Sequence, residues 1–278
     1  LVSLPDFDPN KRKKISDIDF INRATKGVYE FGSVFKTFTL AAALDSNIIE
    51  TDTKFLNLEK SLNCGKNVIR EYDNKIPKDL TAEEILIRSG NIGSVRIGQK
   101  IGIEKFKLFL TKINVINEIK FDIEEVGIPI PFKWGKCKLA TTSFGHGITT
   151  TPLQLAKGYA IITNGGFDID PTIIKTKNDK MIKYKKRLIR KDVSEKINPI
   201  LRKIVTTKEG TASLANISGY EVAGKTGTAE KIISGNYSSD KKINTFVSIF
   251  PTSKPKYVLV VILDEPKINK NYIYNYRD

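Results

Sequence analysis

Apolar side chains recur every three or four residues in five segments of this sequence, the spacing that places them on one face of an α-helix. The first helix is predicted to begin at Ser33 and to end near Asp45, so that Gly32 and Ser33 lie at its N-terminus. Capping signals and apolar spacing predict the other helices at 81–88, 103–113, 152–163 and 194–205. Residues 1–30 are polar and rich in turns.

The pattern changes towards the end of the chain. Residues 220–229 are predicted to form a strand, and 244–250 and 256–263 to form a β-hairpin joined by a turn with two prolines. The last of these runs is apolar without alternation, which predicts a central strand covered on both faces. Helices followed by an antiparallel sheet indicate an α+β fold in which helices pack on the sheet.

Length and charge restrict the functional classes. A chain of 278 residues with 40% hydrophobic residues is sufficient for one large domain or one domain with two lobes. The net charge of +15 has two explanations, an anionic partner or a compositional bias of the chain towards Lys, Ile and Asn. We prefer the compositional bias. Because no aromatic and basic platform accompanies the charge, nucleic acid is not expected as a partner.

The cysteines and the single histidine indicate neither a disulfide scaffold nor a metal centre. Cys64 and Cys137 lie far apart in the sequence, and two independent thiols are expected rather than one bridge. His146 has no evident carboxylate partner, so a structural role is expected for it, and Trp134 is expected to pack in a loop. A zinc enzyme is excluded.

Three short motifs together supply an acyl-transfer site. They are Ser33-Val-Phe-Lys36, Ser89-Gly-Asn91 and Lys225-Thr-Gly-Thr228. Ser33 and Lys36 are three residues apart on a helix and therefore share a face. The lysine can take the proton of the serine if its pKa is lowered by burial or by a second cation, for which Lys225 is the candidate. The site needs neither an Asp nor a catalytic His.

The second motif is interpreted as a proton relay. Ser89 is expected between Lys36 and Lys225, where its hydroxyl can carry the proton to a departing amine. Asn91 is expected to hold the backbone of a peptide substrate through its side-chain amide. Taken alone, Ser-Gly-Asn also fits an ordinary turn at the end of a helix.

The third motif is interpreted as a binding strand. The absence of a side chain at Gly227 lets a substrate backbone approach closely. Lys225, with Thr226 or Thr228, can bind a terminal carboxylate. The backbone N–H groups of Ser33 and Thr228 are expected to form an oxyanion hole.

Around these motifs the sequence resembles the transpeptidase domain of class B penicillin-binding proteins, most closely the division-specific type, penicillin-binding protein 3. The resemblance covers nearly the whole chain, and the gaps between the motifs agree with that family. The segments that carry it are 2–10, 22–25, 28–30, 143–147, 151–155 and 223–230. It implies the fold shared with serine β-lactamases, an antiparallel sheet flanked by helices plus a mostly helical lobe.

The resemblance also implies a reaction. Ser33 would attack the carbonyl between two D-alanines of a peptidoglycan stem peptide, and an amine of a neighbouring stem would resolve the acyl-enzyme. Penicillins and other β-lactams would trap Ser33. No cofactor or metal is implied. The family works on the periplasmic side of the inner membrane with a membrane glycan polymerase and division proteins.

Several points depart from the family pattern. Phe31 stands where the family usually has proline, which would loosen the entry to the nucleophile helix. Residues 1–278 are expected to be a transpeptidase domain without its N-terminal anchor, pedestal, first strand and C-terminal helix, which would leave a sheet edge uncovered. No export signal opens the chain, and no apolar run approaches the ~20 residues that span a membrane.

Two alternatives to a transpeptidase remain at this point. One is a β-lactam-binding sensor in which acylation is the signal, and the other is a serine β-lactamase. Class A β-lactamases carry a Glu-x-x-Leu-Asn motif that activates the deacylating water, and the residues from Glu59 to Asn63 spell it. In that family the motif follows Ser-x-Asn, whereas here it precedes Ser89, so the match is interpreted as chance.

Overall fold

The computed structural model describes residues 1–11, 20–65, 67–175, 186–233 and 235–267. In these ranges the α-helices are α1 (Phe35–Asp45), α2 (Ala82–Ile87), α3 (Asn91–Ile101), α4 (Ile103–Lys112), α5 (Lys136–Thr142), α6 (Pro152–Thr163) and α7 (Lys191–Thr206). The strands are β1 (Lys54–Phe55), β2 (Ser61–Cys64), β3 (Asn67–Arg70), β4 (Leu80–Thr81), β5 (Ala223–Ile233), β6 (Asn236–Phe250) and β7 (Tyr257–Asp264). The α+β class predicted from the sequence is confirmed.

Helix α1 is the centre of the helical lobe. Every residue from Phe35 to Leu44 is buried, and α2, α3, α4 and α7 pack around the helix. A helix that is buried on all sides needs small or apolar residues all round, which its run of alanines provides. The turn before it, Gly32–Val34, is a 3-10 turn, so Ser33 lies just outside the α-helix that was predicted to include it.

The antiparallel sheet has the strand order β5–β6–β7 in the described part of the chain. Helix α7 packs against β5, and α6 packs against β6 and β7. Strand β6 is therefore central, and the prediction of β7 as a central strand covered on both faces was wrong. Alternate side chains of β7 are exposed, namely Tyr257, Leu259, Val261 and Leu263. Apolar residues occupy both faces of β7, and this removed the alternation that would have revealed its exposed face.

Capping signals placed the starts of α2 and α6 accurately, whereas α7 begins at Lys191, three residues before its predicted start. Thr81 forms a capping box with Glu84, and Thr151 forms one with Gln154. Helices α3 and α5 were not predicted. The long β5–β6 hairpin was also missed, because residues 236–242 are mostly exposed on both faces and carry no apolar alternation. No helix in the described ranges is long and apolar enough to cross a membrane.

The cysteines are joined, which corrects the expectation of two independent thiols. Cys64 ends β2 and Cys137 lies in the first turn of α5, with their Cα atoms 5.3 Å apart. The β2–β3 hairpin brings these residues together across 73 positions of sequence. The sequence separation of Cys64 and Cys137 could not predict their proximity, because that proximity depends on how the β2–β3 hairpin packs against the helical lobe.

Removing this disulfide is expected to destabilise the domain. Closing a loop of 73 residues restricts the unfolded chain by up to about 4 kcal/mol in the chain-entropy model. The double variant Cys64→Ser/Cys137→Ser should therefore lose about 2–4 kcal/mol of unfolding free energy in urea. A reducing agent should destabilise the parent protein by a similar amount and leave the variant unaffected. Equal stability of parent and variant would contradict the prediction.

Candidate active site

The segment that carries Ser33 is held from both sides. Phe31 is fully buried and packs edge-to-face on Tyr29, with ring centroids 5.8 Å apart. The Tyr159 hydroxyl on α6 donates to the carbonyl of Val34 at 2.8 Å. Aromatic packing thus restrains the segment at the position where the family usually has proline. Ser33 itself is partly exposed and accessible to a substrate.

Gly32 lies between two layers of backbone. Its φ is +58°, and a Cβ at this position would come within 2.2 Å of the Thr228 carbonyl oxygen on β5. On the other side, Gly145 is so close that a Cβ there would approach the Gly32 carbonyl oxygen to 1.9 Å. The turn that presents Ser33 is therefore clamped between β5 and the loop after α5, and only glycine fits.

Lys36 brings the first two motifs together. Its Nζ lies 3.0 Å from Ser33 Oγ, 3.1 Å from Ser89 Oγ, 2.7 Å from Asn91 Oδ1 and 2.5 Å from the Ser89 carbonyl oxygen. The carbonyl and the amide oxygen can only accept hydrogen bonds. A neutral amine satisfies both of them with its two N–H groups and keeps a lone pair for a serine hydroxyl proton.

The third motif completes this network through Lys225. Its Nζ lies 2.9 Å from Ser89 Oγ and 3.1 Å from the Thr226 carbonyl oxygen. Ser89 Oγ is therefore in contact with both lysines, as its predicted position requires. The structure brings the five residues proposed as catalytic, Ser33, Lys36, Ser89, Asn91 and Lys225, into one hydrogen-bonded cluster.

Burial controls the charge of this cluster. Lys36 and Lys225 are both fully buried, and burial lowers the pKa of Lys36 from 10.5 to about 7. Burial also lowers the pKa of Lys225, and the charge of Lys36 adds to this effect. Since the repulsion between two ammonium groups is mutual, the pair favours a state with one proton over a state with two.

Ser89 is held in an unusual backbone conformation. Its φ of +58° lies in the left-handed region, which is uncommon for residues with a side chain. The carboxylate of Glu71 accepts hydrogen bonds from the backbone N–H groups of Asn91, at 2.7 Å, and Ile92, at 2.8 Å. This carboxylate caps the start of α3 and fixes the turn that presents Ser89.

The side-chain amide of Asn91 is already engaged at both ends. Its oxygen accepts from Lys36, and its nitrogen donates to the Arg70 carbonyl at 2.9 Å. In this arrangement Asn91 orients Lys36, which differs from the predicted contact of its amide with the substrate backbone. Glu71 and Arg70 were missed because they lie at the end of β3 and belong to no short motif.

The strand that carries the third motif presents two different faces. Lys225 is buried and points to Ser89, whereas Thr226 is partly exposed and Thr228 is exposed on the other face. Thr226 Oγ1 lies 2.7 Å from the hydroxyl of Thr211, a residue outside the three motifs that was not predicted as part of the site. Thr226 and Thr228 thus lie on the face of β5 that a ligand can reach directly.

The free side of Gly227 is occupied by the nucleophile segment. A Cβ on Gly227 would come within 2.2 Å of the Phe31 carbonyl oxygen. The missing side chain therefore allows the approach of this protein segment to β5, which differs from the predicted approach of a substrate. Any contact between Gly227 and a substrate has to use its backbone.

Residues outside the motifs behave mainly as structural elements. Glu59 accepts from Arg96 at 2.5 Å, and this hydrogen bond lowers the pKa of its carboxyl group. Trp134 packs on Phe132, with ring centroids 4.9 Å apart, which confirms its predicted role in loop packing. The expectation that His146 lacks a carboxylate partner was wrong, because Glu30 Oε2 lies 4.0 Å from its Nδ1.

The titration of Lys36 predicts the pH dependence of acylation. With a pKa of about 7, the neutral amine disappears as the pH falls. The acylation rate constant should therefore drop about tenfold per pH unit well below pH 7 and level off above pH 8. Stopped-flow measurements with a chromogenic cephalosporin between pH 5 and 10 would test this. A rate that keeps rising up to pH 10 would indicate a lysine with its ordinary pKa.

Glu71→Gln provides an internal check of the same profile. Burial lowers the pKa of Lys36, and the charge of Glu71 raises it in opposition. Removing that charge should therefore move the midpoint to lower pH. A midpoint that stays in place or moves to higher pH would contradict the electrostatic coupling of Glu71 and Lys36.

Comparison with known proteins agrees with this geometry. Residues 1–277 match the family described as the penicillin binding protein transpeptidase domain. A probable peptidoglycan D,D-transpeptidase FtsI of Caulobacter vibrioides is 31% identical over 98% of this chain and 47% of its own length. The peptidoglycan D,D-transpeptidase FtsI of Buchnera aphidicola is 32% identical over 98% of this chain and 48% of its own length. The chain thus spans about half the length of these relatives.

Solved structures show the same fold. The transpeptidase domain of Burkholderia pseudomallei penicillin-binding protein 3 aligns with a TM-score of 0.82 and 28% identity, over 88% of this chain and 74% of that one. Penicillin-binding protein 3 of Mycobacterium tuberculosis, in complex with aztreonam, aligns with a TM-score of 0.78 and 25% identity, over 88% and 58% of the respective chains. The chain therefore belongs to the penicillin-binding protein transpeptidase family.

Proposed function

We propose that this chain is the catalytic domain of a peptidoglycan D,D-transpeptidase that forms a serine acyl-enzyme and is covalently inhibited by β-lactams. One observation carries the proposal. A buried lysine, Lys36, with a pKa of about 7 lies 3.0 Å from Ser33 Oγ and 3.1 Å from Ser89 Oγ. This arrangement supplies an activated nucleophile, a base and a relay within hydrogen-bond distance of one another.

The first half-reaction uses each member of the cluster. Neutral Lys36 takes the hydroxyl proton as Ser33 Oγ attacks the carbonyl between two D-alanines. Ser89, in contact with Lys36 and Lys225, passes a proton to the departing amine of the terminal D-alanine. The negative carbonyl oxygen is held by the backbone N–H groups of Ser33 and Thr228. The close packing of Gly32 on the Thr228 backbone supports this oxyanion hole.

The carboxylate of the substrate is assigned to the outer face of β5. Thr226 and Thr228 share that face and offer two hydroxyl groups. Lys225 points to the opposite side, where it contacts Ser89. The backbone of Gly227 lies between the two threonines and completes the binding strand.

The second half-reaction transfers the acyl group to an amine of a neighbouring stem peptide. Rapid hydrolysis in a class A β-lactamase uses a carboxylate that is free to activate water. Glu59, the residue that matches the class A motif, is bonded to Arg96 instead. This pairing supports a long-lived acyl-enzyme, and hence transpeptidation or sensing over β-lactam hydrolysis.

The location and partners follow from the same proposal. The disulfide between Cys64 and Cys137 is a type of bond that persists in oxidising compartments, which supports a place outside the inner membrane. The relatives named peptidoglycan D,D-transpeptidase FtsI support peptidoglycan as the substrate. From the family resemblance we propose division proteins and a membrane glycan polymerase as partners. The reaction needs neither a metal nor a cofactor.

The proposal is tested by the intact mass of the protein after incubation with benzylpenicillin. One lasting penicilloyl adduct is expected on the parent chain and none on Ser33→Ala. Ser213→Ala, at an exposed turn outside the three motifs, serves as the matched control and should form the adduct. An adduct on Ser33→Ala, or none on a folded parent protein, would overturn the proposal.

Turnover then separates the three functional classes. A transpeptidase should transfer a D-alanyl donor to an added peptide amine in preference to water. Rapid release of penicilloic acid would identify a β-lactamase. A stable adduct without transfer to any acceptor would identify a sensor.

A further inference from the structure

A second cluster of ionisable groups lies beside the nucleophile. Glu30, three residues before Ser33, is buried and accepts from the hydroxyl of Tyr237 at 3.0 Å and from the backbone N–H of Gly147 at 2.9 Å. The same carboxylate faces Nδ1 of His146 at 4.0 Å. The acylation mechanism proposed above uses none of these side chains.

The imidazole of His146 is fixed in place but open to solvent. It stacks on Tyr237, with centroids 4.3 Å apart, and lies against Phe144, with centroids 5.9 Å apart. Its side chain is nevertheless 41% exposed, whereas that of Glu30 is 9% exposed. A ring that is stacked between aromatic side chains and backed by a carboxylate can present its remaining edge to a ligand in one orientation.

The cluster lies within reach of the acyl carbonyl. Gly145 packs directly on the carbonyl of Gly32, and each of these glycines is one residue away from His146 and Ser33, respectively. With neighbouring Cα atoms 3.8 Å apart, the Cα atoms of His146 and Ser33 are at most about 12 Å apart. A peptide amine of a second stem fits between side chains at this separation.

The charges around the ring favour a cation. Glu30 and Glu230 both act on His146, and Lys138 acts in opposition. The Tyr237 hydroxyl also faces Glu30, and its proton is held firmly because burial and Glu30 raise its pKa. Burial lowers the pKa of His146 below 6.5, so the imidazole is neutral at pH 7 and can accept a proton. In a chain of net charge +15, two carboxylates at this position are a local exception.

We propose that His146, backed by Glu30 and stacked on Tyr237, binds the ammonium group of the acceptor stem and takes its proton. This inference rests on the transpeptidase function proposed above and gives His146 a role in its second half-reaction. The amine acceptor arrives as an ammonium ion and must lose two protons to form an amide. His146 accepts the first of them, and the freed lone pair forms the C–N bond to the acyl carbonyl.

The remaining steps balance the reaction. The C–Oγ bond to Ser33 breaks as the new amide forms, and the second N–H proton passes to Ser33 Oγ through Lys36. His146 returns its proton to water through its exposed edge. Acylation by penicillin needs no acceptor, so a change at His146 should reduce transfer far more than it reduces acylation.

The single histidine of the chain makes binding directly measurable. The ¹³Cε1 signal of His146 should shift saturably when a stem tripeptide ending in lysine is added to the parent protein or to its penicilloyl adduct. The same peptide acetylated at Nε, or the variant Glu30→Gln, should reduce the apparent affinity at least about fivefold. No shift, or an equal shift with the acetylated peptide, would overturn the proposal.

Transfer kinetics provide the second test. With a D-alanyl thioester donor and the lysine tripeptide, His146→Gln should lower the ratio of transfer to hydrolysis about tenfold at pH 7. The loss should shrink at pH 9.5, where more of the acceptor is already deprotonated. Phe144→Leu disturbs the ring packing but keeps the imidazole, and serves as the matched control. An equal loss at both pH values, or equal effects on acylation and transfer, would assign His146 a structural role.

The two levels of proposal fail in different ways. A parent protein that forms no penicilloyl adduct refutes the acylating site, whatever His146 does. A parent protein that acylates and transfers, with a His146→Gln variant of unchanged transfer ratio, refutes only the acceptor site. The histidine signal reports acceptor binding even without turnover.

Discussion

Replacing Lys36 by methionine is expected to slow acylation by benzylpenicillin about 10³-fold, the usual contribution of a well-placed general base. Methionine keeps the length of the side chain and fills the same buried space, but it cannot take the proton of Ser33. The protein should remain folded, because the substitution removes a group whose charged form is costly to bury. Adduct formation followed by intact mass over hours would measure the rate constant.

Lys157→Met is the matched control for this experiment. Lys157 lies on α6, is 8% exposed and pairs with Asp168 at 3.2 Å, away from the motif cluster. Its loss should lower stability, because Asp168 keeps a buried oxygen without a partner, and change acylation less than threefold. If Lys36→Met also acylates within tenfold of the parent rate, another group takes the proton, and the role proposed for Lys36 is wrong.

Replacing Gly32 by alanine is expected to remove the acylating activity by displacing Ser33. The new Cβ would stand 2.2 Å from the Thr228 carbonyl oxygen, and the positive φ of the residue disfavours any side chain. Because the obstacle is the backbone of Thr228, the turn has to move away from β5. We expect a loss of at least about 100-fold in acylation, since small displacements of a nucleophile are costly.

Gly219→Ala separates the clash from the backbone penalty. Gly219 also has a positive φ, +82°, but a Cβ there meets no atom within 4 Å. It should cost about 1–2 kcal/mol of stability, the ordinary penalty of a left-handed residue with a side chain, and leave acylation intact. Similar acylation rates for Gly32→Ala and Gly219→Ala would show that the packing of Gly32 on β5 is not required.

The sequence predicted those parts of the molecule that depend on local signals. The capping residues Thr81 and Thr151 placed the starts of α2 and α6, because a cap acts within one turn of its helix. The three motifs predicted that Ser33, Ser89 and Lys225 would meet, although they come from distant segments. That prediction depended on chemistry, since a serine nucleophile needs a base and a relay at contact distance.

Other features depend on contacts between distant segments, which no short sequence pattern predicts. The disulfide, the capping of α3 by Glu71 and the pairing of Glu30 with Tyr237 all join segments that are distant in sequence. The position of β7 was misjudged because its apolar residues occupy both faces, although one face is exposed. Composition indicates which residues can be buried, but the order of strands decides which of them are.

The carboxylate of Glu71 has a further consequence for how this protein can change over evolutionary time. Its charge raises the pKa of Lys36, whereas burial lowers it, so the value near 7 is a balance between a motif residue and a residue outside every motif. Substitutions at position 71 can therefore shift the fraction of reactive amine while Ser33, Lys36 and Ser89 stay untouched. Sensitivity to an acylating antibiotic is then a heritable, graded property that a survey restricted to the motifs overlooks.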